Sequence, residues 1–379
     1  MNHLTPSALS RRNLLFGAGA GIAALGLGAC ANPDKVGKSS SAGGSGSSDG
    51  LVVYDGGGAW GAAQRKAYFE PFQKETGIKL TTSIAPPSAQ LKAAIEAGKP
   101  GMDVIDLNGS RVATWARTGL IQKIDYGQWD DTSLKAKFHP YPALEYAVPS
   151  LIFAVQLAYS KKALGGKDMT RWADLWDASL PGKRSLYPGN GPGGCTLEIA
   201  LLADGVKPKD LYPLDVDRAL AKIGKLRSRV LKFWESGAES VQLLTDGQIS
   251  ALAAWNGRIQ DAVGKGADVQ STFNQAILQV DYWAIPKGSK NVEGALRFIE
   301  FCSRPDRQAE FAKLIAYAPT TQEAYRHISD ERQKLLATSQ HNLDKTIAQD
   351  NDFWGSSAGR GKTQEEMAID RWQKWLTKA

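Results

Sequence analysis

Two short stretches carry the side chains best suited to hold a ligand. Ala251-Leu252-Ala253-Ala254-Trp255-Asn256-Gly257-Arg258 is an apolar strand that ends in an indole, an amide, a glycine and a guanidinium. Gln279-Val280-Asp281-Tyr282-Trp283-Ala284-Ile285-Pro286 is a second apolar strand, entered by one carboxylate and closed by a proline. An Asn-Gly pair after an apolar strand marks a turn, and Gly257 can take positive φ at no Cβ cost. Trp255, Asn256 and Arg258 are therefore expected at a strand's exit, where open α/β sheets bind ligands. A core Trp beside a solvated Arg is the plain alternative. Asp281 tips the balance toward a ligand pocket, because a carboxylate in an apolar strand is costly unless it has a partner or faces water.

The parts of a catalytic site are not assembled in the sequence. His3, His139, His327 and His341 are scattered and lack metal-ligand spacing. No Ser or Cys sits in a nucleophile-elbow sequence beside a plausible His partner. The run Gly189 to Gly194 is glycine-rich, but no Lys-Ser/Thr follows it, so it is not a phosphate-binding P-loop. The chain is read as a non-enzyme without metal or cofactor.

The elements that position these residues follow an α/β rhythm. Leu51 to Tyr54 is a short strand broken by Asp55-Gly56-Gly57-Gly58. A helix with Ala62, Tyr68, Phe69 and Phe72 on its apolar side stops at Gly77. Ile78 to Ile84 alternates as a second strand, Ala89 to Ala97 is a helix, and Asp103 to Leu107 is a third strand. Asn108-Gly109-Ser110 turns that strand into a helix over 112–118. This βαβαβα order predicts a parallel sheet with helices on both faces. Val148 to Tyr159 is one long apolar run. A second lobe begins near Trp172, with a strand at Arg184 to Tyr187, a glycine-rich loop and a helix from Thr196 to Ala203. Its long helix is expected over 217–232, capped by Asp215 or Asp217, and another begins after Ser236-Gly237. Helices are also expected over 292–302 and over 364–376, where Met367, Trp372 and Trp375 form a packing stripe.

Charge argues against nucleic acid. Residues 1–30 contain Arg11, Arg12 and no acid, and the remainder carries 44 basic against 39 acidic residues, a net +5 without a basic run. Ser10-Arg11-Arg12-Asn13-Leu14-Leu15 resembles a twin-arginine export signal. The Gly/Ala-rich run that follows suits a signal better than a spanning helix. Leu27-Gly28-Ala29-Cys30 resembles a lipobox, whose cysteine is lipidated. Residues 38–50, nearly all Ser and Gly, would form a flexible tether, with a reach of roughly 25 Å over about 20 residues. The alternative is an uncleaved anchor with an incidental Cys. The expectation is an exported lipoprotein, held on a membrane in the periplasm or on the outer face of the cell. Cys195 and Cys302 read as two free thiols.

Several phrases in order carry a resemblance: Phe72-Gln73-Lys74-Glu75-Thr76-Gly77-Ile78, Ala253-Ala254-Trp255-Asn256-Gly257, Trp283-Ala284-Ile285-Pro286-Lys287-Gly288, Gly294-Ala295-Leu296-Arg297-Phe298-Ile299-Glu300-Phe301 and Ala318-Pro319-Thr320. From Leu51 onward the chain resembles the spermidine/putrescine type of extracellular solute-binding protein, the ligand receptors of ABC importers. The resemblance implies a two-lobed periplasmic-binding-protein fold, each lobe a mainly parallel sheet with flanking helices. The lobes would be joined by crossing hinge strands, the first at Val148–Tyr159 and the second at Ile285-Pro286. The export signal and the Ser/Gly run read above set residues 1–30 as signal and 31–50 as tether. The first lobe would be 51–155 plus 284–320, and the second 156–283 plus 321–379. The resemblance implies a monomer that delivers its solute to a permease and an ATPase.

Within that family an amine is held on aromatics and carboxylates, with cation–π stacking of about 0.5–2 kcal/mol. By resemblance, Trp255 matches a pocket tryptophan and Asp281 the carboxylate that meets an ammonium. The family's second tryptophan falls on Gln279, its two acidic positions before the second-lobe helix on Pro192 and Cys195, and its aromatic-then-acid pair after the first strand on Gly57, Gly58 and Trp60. Arg258 and the helix starts near Thr196 and Ala238 stand where those acids would, and such groups favour a carboxylate. The ligand is therefore read as a zwitterion: an amino acid, γ-aminobutyrate or an opine. Asn108, Ser110, Ser236 and Tyr317 are further candidates. If Arg258 instead faces solvent or pairs with Asp261, a plain polyamine receptor is the default. An exported enzyme using the same cleft and a ligand sensor are the rivals. In the importer reading, hinge closure traps the ligand.

Overall fold

The computed structural model describes residues 50–84, 86 and 88–378. The export signal, Cys30 and the tether as far as Ser48-Asp49 lie outside the described residues.

The first α/β group forms as its punctuation dictates. β1 (Leu51–Tyr54) leads into α1 (Gly58–Gln64), which continues through a π-helical turn, Arg65–Phe69, into α2 (Glu70–Thr76). Gly77 stops α2 at φ 73°, a left-handed conformation that glycine adopts without Cβ strain. β2 (Leu80–Ser83), α3 (Ser88–Glu96), β3 (Ile105–Asn108) and α4 (Gly109–Arg117) follow. β1 and β2 run parallel, and Val53 bridges in parallel to Val104 at the entry to β3. α4 starts three residues earlier than the sequence suggests, because the Asn108 side chain caps it by accepting from the Ser110 backbone N–H.

β4 (Val148–Tyr159) is buried along its whole length and leads to the second group. That group comprises β5 (Arg184–Leu186), α5 (Thr196–Ala203), α6 (Val216–Leu226), β6 (Val230–Phe233), α7 (Gly237–Thr245), β7 (Ala251–Trp255) and α8 (Asn256–Gly264). β6, β5 and β7 pair in parallel in that order. α6 is capped by Asp215, whose side chain accepts from Arg218 N–H, but it ends at Leu226 instead of running to Lys232. Residues 230–233 leave the helix because they find an open sheet edge at β5, and pairing overrides helix propensity there.

The return crossing is β8 (Gln270–Ala284), not Ile285-Pro286. β8 lies antiparallel to β4 from Trp283 opposite Val148 to Gln270 opposite Tyr159. At its far end it pairs with β3, Asn108 opposite Asp281. Pro286 has no N–H to continue the ladder, so it marks the end of the crossing. The two long strands thus run through both groups, and β7 flanks β4 over Val155–Tyr159. The crossing strands β4 and β8 lie in one mixed seven-stranded sheet with β3, β7, β5, β6 and a later strand, β9 (Thr346–Ala348), while β1 and β2 form a separate parallel pair bridged to the entry of β3.

α9 (Val292–Ser303) and α10 (Pro305–Leu314) pack on the first lobe, where Phe298 and Phe301 meet Phe72 edge to face. The chain after Thr321, expected in the second lobe, does not go there directly. Ala324, Ile328, Leu336 and Ala337 join the core of Ile105, Leu107 and Ile152, because small apolar side chains along this segment fit that flank of the sheet. α11 (Asp330–Gln333), β9 (Thr346–Ala348, parallel to β8), α12 (Asn351–Gly355) and α13 (Gln364–Lys378) complete the chain. Trp354 and Trp372 are buried in the second-lobe core, and Trp372 stacks on Trp375 at 4.9 Å, as the packing stripe requires. Cys195 and Cys302 are free and buried. No helix among the described residues is long and apolar enough to cross a membrane.

Candidate functional site

Two carboxylates meet where β3 and β8 pair. Asn108 lies opposite Asp281 and Asp106 opposite Trp283, so Asp106 and Asp281 are diagonal neighbours on one face of the sheet. Asn108 Nδ2 donates to Asp281 Oδ1 at 3.3 Å, and Ser150 Oγ donates to Asp106 Oδ2 at 2.8 Å. Asp281 is 8% exposed. Burial pushes its carboxyl up to about 7, opposed by its hydrogen bonds from Asn108 and Asp106 and by the charge of Arg111. Burial, and then the charge of Asp281, raises Asp106 well above the usual carboxylate range. Both carboxyls thus hold their protons more tightly than free ones, because burial and their closeness disfavour two negative charges side by side. Arg111 is the cation whose charge reaches this pair, and it opposes the rise of Asp281.

An aromatic chain runs from this pair across the lobes. Trp60 meets Tyr54 at 5.5 Å and Tyr317 at 5.9 Å; Tyr317 meets Phe153 at 6.0 Å, and Phe153 meets Trp255 edge to face at 6.3 Å. Trp255 is fixed from behind by Trp234 at 5.0 Å, and its Nε1 donates to Gly193 O at 3.0 Å. Two glycines make room for the rings. A Cβ on Gly56 would fall 2.3 Å from Trp60 Cδ2, and one on Gly257 2.3 Å from Tyr317 Cε1. That close approach, not a turn with positive φ, is why residue 257 is glycine: Asn256-Gly257 opens α8 instead of making a turn. Gly257→Ala is expected to destabilise the fold by about 1–3 kcal/mol through overpacking. Its measured melting temperature should fall by several degrees, with Tyr317 displaced.

Arg258 closes the other side. Its Nη1 lies 3.1 Å from where a Cβ on Gly58 would stand, and its Nε and Cγ lie 3.0 Å from that of Gly237, so the side chain is wedged between a glycine of each lobe. The Nε is buried without a hydrogen-bond partner. Among the described residues Arg258 has no ion pair; Asp261 takes Lys265 at 2.7 Å instead. Tyr54 and Tyr317 feel both ends of this arrangement. Burial raises both phenols, that of Tyr317 up to about 12; Asp281 adds to each rise and Arg258 opposes it, also by a hydrogen bond to Tyr317.

The expected residues divide. Trp255, Asp281, Arg258, Trp60, Gly58, Asn108 and Tyr317 come together here. Gly57, at φ 64°, shapes the loop beside them and donates its N–H to Asp55 Oδ1 at 2.8 Å. Asn256 is a fully buried clamp: it accepts from Ala154 N–H at 2.9 Å and donates to Ala316 O at 2.5 Å, tying β4 to the strand-like segment after α10. Ser110 Oγ donates to Asn108 Oδ1 within the α4 cap. Ser236 caps α7 by accepting from Glu239 N–H, so its oxygen is engaged. Thr196 Oγ1 donates to Tyr187 O at 2.7 Å, and Cys195 is wholly buried with its thiol pushed up by desolvation. Both side chains are buried within the fold. Gln279 donates to Pro192 O at 2.7 Å, holding the glycine-rich loop.

Tyr54, Asp106, Phe153, Arg111 and Glu365 were not anticipated. Asp106 carried the same signal as Asp281, a carboxylate inside an apolar strand. Arg111 binds Glu365 through Nε at 3.2 Å and Nη2 at 2.8 Å, joining α4 to α13. Their separation of 254 positions left no trace in the sequence. Among the described residues no group of three His, Cys, Asp or Glu could hold a metal.

Comparison with known proteins points the same way as this geometry. Residues 67–338 match the family model of the bacterial extracellular solute-binding proteins. The chain is 34% identical over 314 residues to a γ-aminobutyric acid-binding protein of Pseudomonas aeruginosa, covering 81% of this chain and 87% of the relative. It is 29% identical over 304 residues to the spermidine/putrescine-binding periplasmic protein of Escherichia coli, covering 76% and 83%. The crystal structure of an ABC transporter substrate-binding protein from Bradyrhizobium japonicum superposes with a TM-score of 0.78 at 34% identity, covering 86% of this chain and 99% of that one. Matched over most of its length, this chain belongs to the bacterial extracellular solute-binding proteins.

Proposed function

We propose that the protein is the solute receptor of an ABC importer and that its ligand is a zwitterion of the γ-aminobutyrate kind. The ammonium meets the Asp106/Asp281 pair inside the ring of Tyr54, Trp60, Trp255 and Tyr317. The carboxylate meets Arg258. The observation that carries this reading is the Arg258 guanidinium, wedged between the lobes with an unpartnered Nε and facing the same aromatic cluster as the two acids. A relative whose name gives γ-aminobutyric acid as its ligand supports it. The second reading, a polyamine, is favoured by the acid pair itself and by the Escherichia coli relative. A thermal-shift panel of γ-aminobutyrate, amino acids, opines, putrescine and spermidine separates them, because a ligand that binds only the folded state raises its melting temperature. Stabilisation by putrescine and spermidine alone would overturn the zwitterion reading.

The acid pair makes binding pH-dependent. In the fold Asp281 keeps its proton up to about pH 7, whereas an unfolded carboxyl loses it near 3.8. The ligand-free protein should therefore lose stability as pH rises from about 4 to 7, at up to ~1.4 kcal/mol per unit. An ammonium that replaces this proton releases it, so affinity should rise from pH 5 to 7 and level off above. Calorimetry in two buffers of different ionisation enthalpy reads the released proton; proton uptake, or no pH dependence, would contradict the account.

In this reading the lobes close on the ligand, which shifts the population toward the closed form that docks on permease and ATPase subunits. We place the first lobe at residues 51–155 with 284–348, and the second at 156–283 with the chain from Gln349 onward. The latter boundary is supported by Gln349, whose Nε2 donates to Pro192 O and to Glu198 in the second-lobe core. The twin-arginine and lipobox sequences support export as a lipoprotein anchored through Cys30. Mass spectrometry of the membrane fraction should find Cys30 acylated at the mature N-terminus, and Cys30→Ser should release the protein.

A further inference from the structure

Beyond Arg258 the space does not end. A groove of about 580 Å³ opens between α7 and α8, bounded by Gly237, Ala238, Val241, Thr245, Asp261 and Lys265, with Gly58 and Ala59 across from it. Arg258 stands at the boundary. One side of its guanidinium faces Tyr317 and Tyr54, and the same side chain lines the groove. The acid end of a short amino acid bound at Arg258 fills little of such a volume.

We propose that the ligand's acid end continues past Arg258 into this groove, so that the solute is an amine–acid bearing a further polar arm, of the γ-aminobutyryl–amino acid type. This rests on the ammonium-and-carboxylate reading and narrows its substrate class. The two ends of the site are unequal. At the amine end Tyr317 is 3% exposed and Asp281 8%, and the rings of Tyr54, Trp60 and Tyr317 pack edge to face, so this end is more enclosed than the groove and disfavours substituents on the nitrogen. At the acid end Thr245 and Lys265 are exposed while Val241 is buried, so the groove offers an apolar floor and a wet rim. Its charge also selects. Asp261 is occupied by Lys265, and Arg258 and the first turn of the nine-residue α7 add positive potential. An uncharged or anionic arm suits this wall, whereas a second ammonium does not.

The test is calorimetric titration of the mature protein with γ-aminobutyrate, γ-aminobutyryl-glycine and N-acetyl-γ-aminobutyrate, repeated in Thr245→Trp, which fills the groove away from Arg258. The wild type is expected to bind γ-aminobutyryl-glycine at least as tightly as γ-aminobutyrate, and to bind the N-acetyl compound at least roughly 100-fold more weakly. Thr245→Trp is expected to weaken the extended ligand roughly tenfold or more while γ-aminobutyrate stays within about threefold. If γ-aminobutyrate binds but its glycine conjugate is roughly 100-fold weaker, the extension is overturned and the carboxylate site at Arg258 stands. Binding of putrescine alone would remove both. Equal losses for the two ligands in Thr245→Trp, or none, also overturn the groove's role. Should that variant fold poorly, the wild-type comparison decides alone.

Discussion

Asp281→Asn is expected to lose ligand binding by about 2–5 kcal/mol, a fall of roughly 30-fold to several thousand-fold, while making the ligand-free protein more stable above pH 7. The carboxylate sits at 8% exposure beside a second acid, and burial is the first cause of its raised pKa. An ionised group in that position destabilises the empty fold and is relieved only when an ammonium arrives. Asparagine keeps the shape and can still engage Asn108, but it offers no negative charge. Calorimetry and thermal melts at pH 8 should therefore move in opposite directions: weaker binding, higher melting temperature. A variant that loses stability and affinity together would mean that Asp281 acts in the fold and not on the ligand.

Arg258→Ala should cost zwitterions about 3 kcal/mol, near 100-fold, and leave diamines unchanged or improved. The half-buried side chain is held between Gly58 and Gly237 with its Nε buried and unpartnered, so it is well placed to hold a carboxylate. Removing it leaves that carboxylate buried and unpaired. Putrescine has no such group, and loss of a nearby cation can only help it. Comparing γ-aminobutyrate and putrescine affinities for wild type and variant reads the switch directly. Equal losses for both ligands would indicate a collapsed cleft; no loss for either would place Arg258 outside the binding site.

Much of the framework was legible because its causes are local. Glycine stops, alternating apolar residues and the unbroken run at Val148–Tyr159 specify elements that tertiary contacts then keep. The misreadings came where distant pairing decides. Residues 230–233 leave a helical pattern to join β5, and the chain after Thr321 fills the first-lobe flank before returning. Within the site, Trp255 and Asp281 were visible as an aromatic and an acid at the ends of apolar strands. Sequence position could not show which way a side chain points. Asn256, Cys195 and Thr196 sit at the same kind of strand or helix end, yet they turn inward to clamp or pack, and the exposed Ser236 is spent on capping α7. Asp106 becomes a partner of Asp281 only through the register of β3 on β8. The Arg111–Glu365 pair exists only because α4 and α13 meet in space.

A crystal structure of the protein with γ-aminobutyrate tests the central claim most directly. The account predicts the ammonium nitrogen about 2.8 Å from Asp281, ringed by Tyr54, Trp60, Trp255 and Tyr317, and the carboxylate forked by Arg258. An amine turned toward Arg258, or a ligand seated elsewhere with Arg258 untouched, would contradict it.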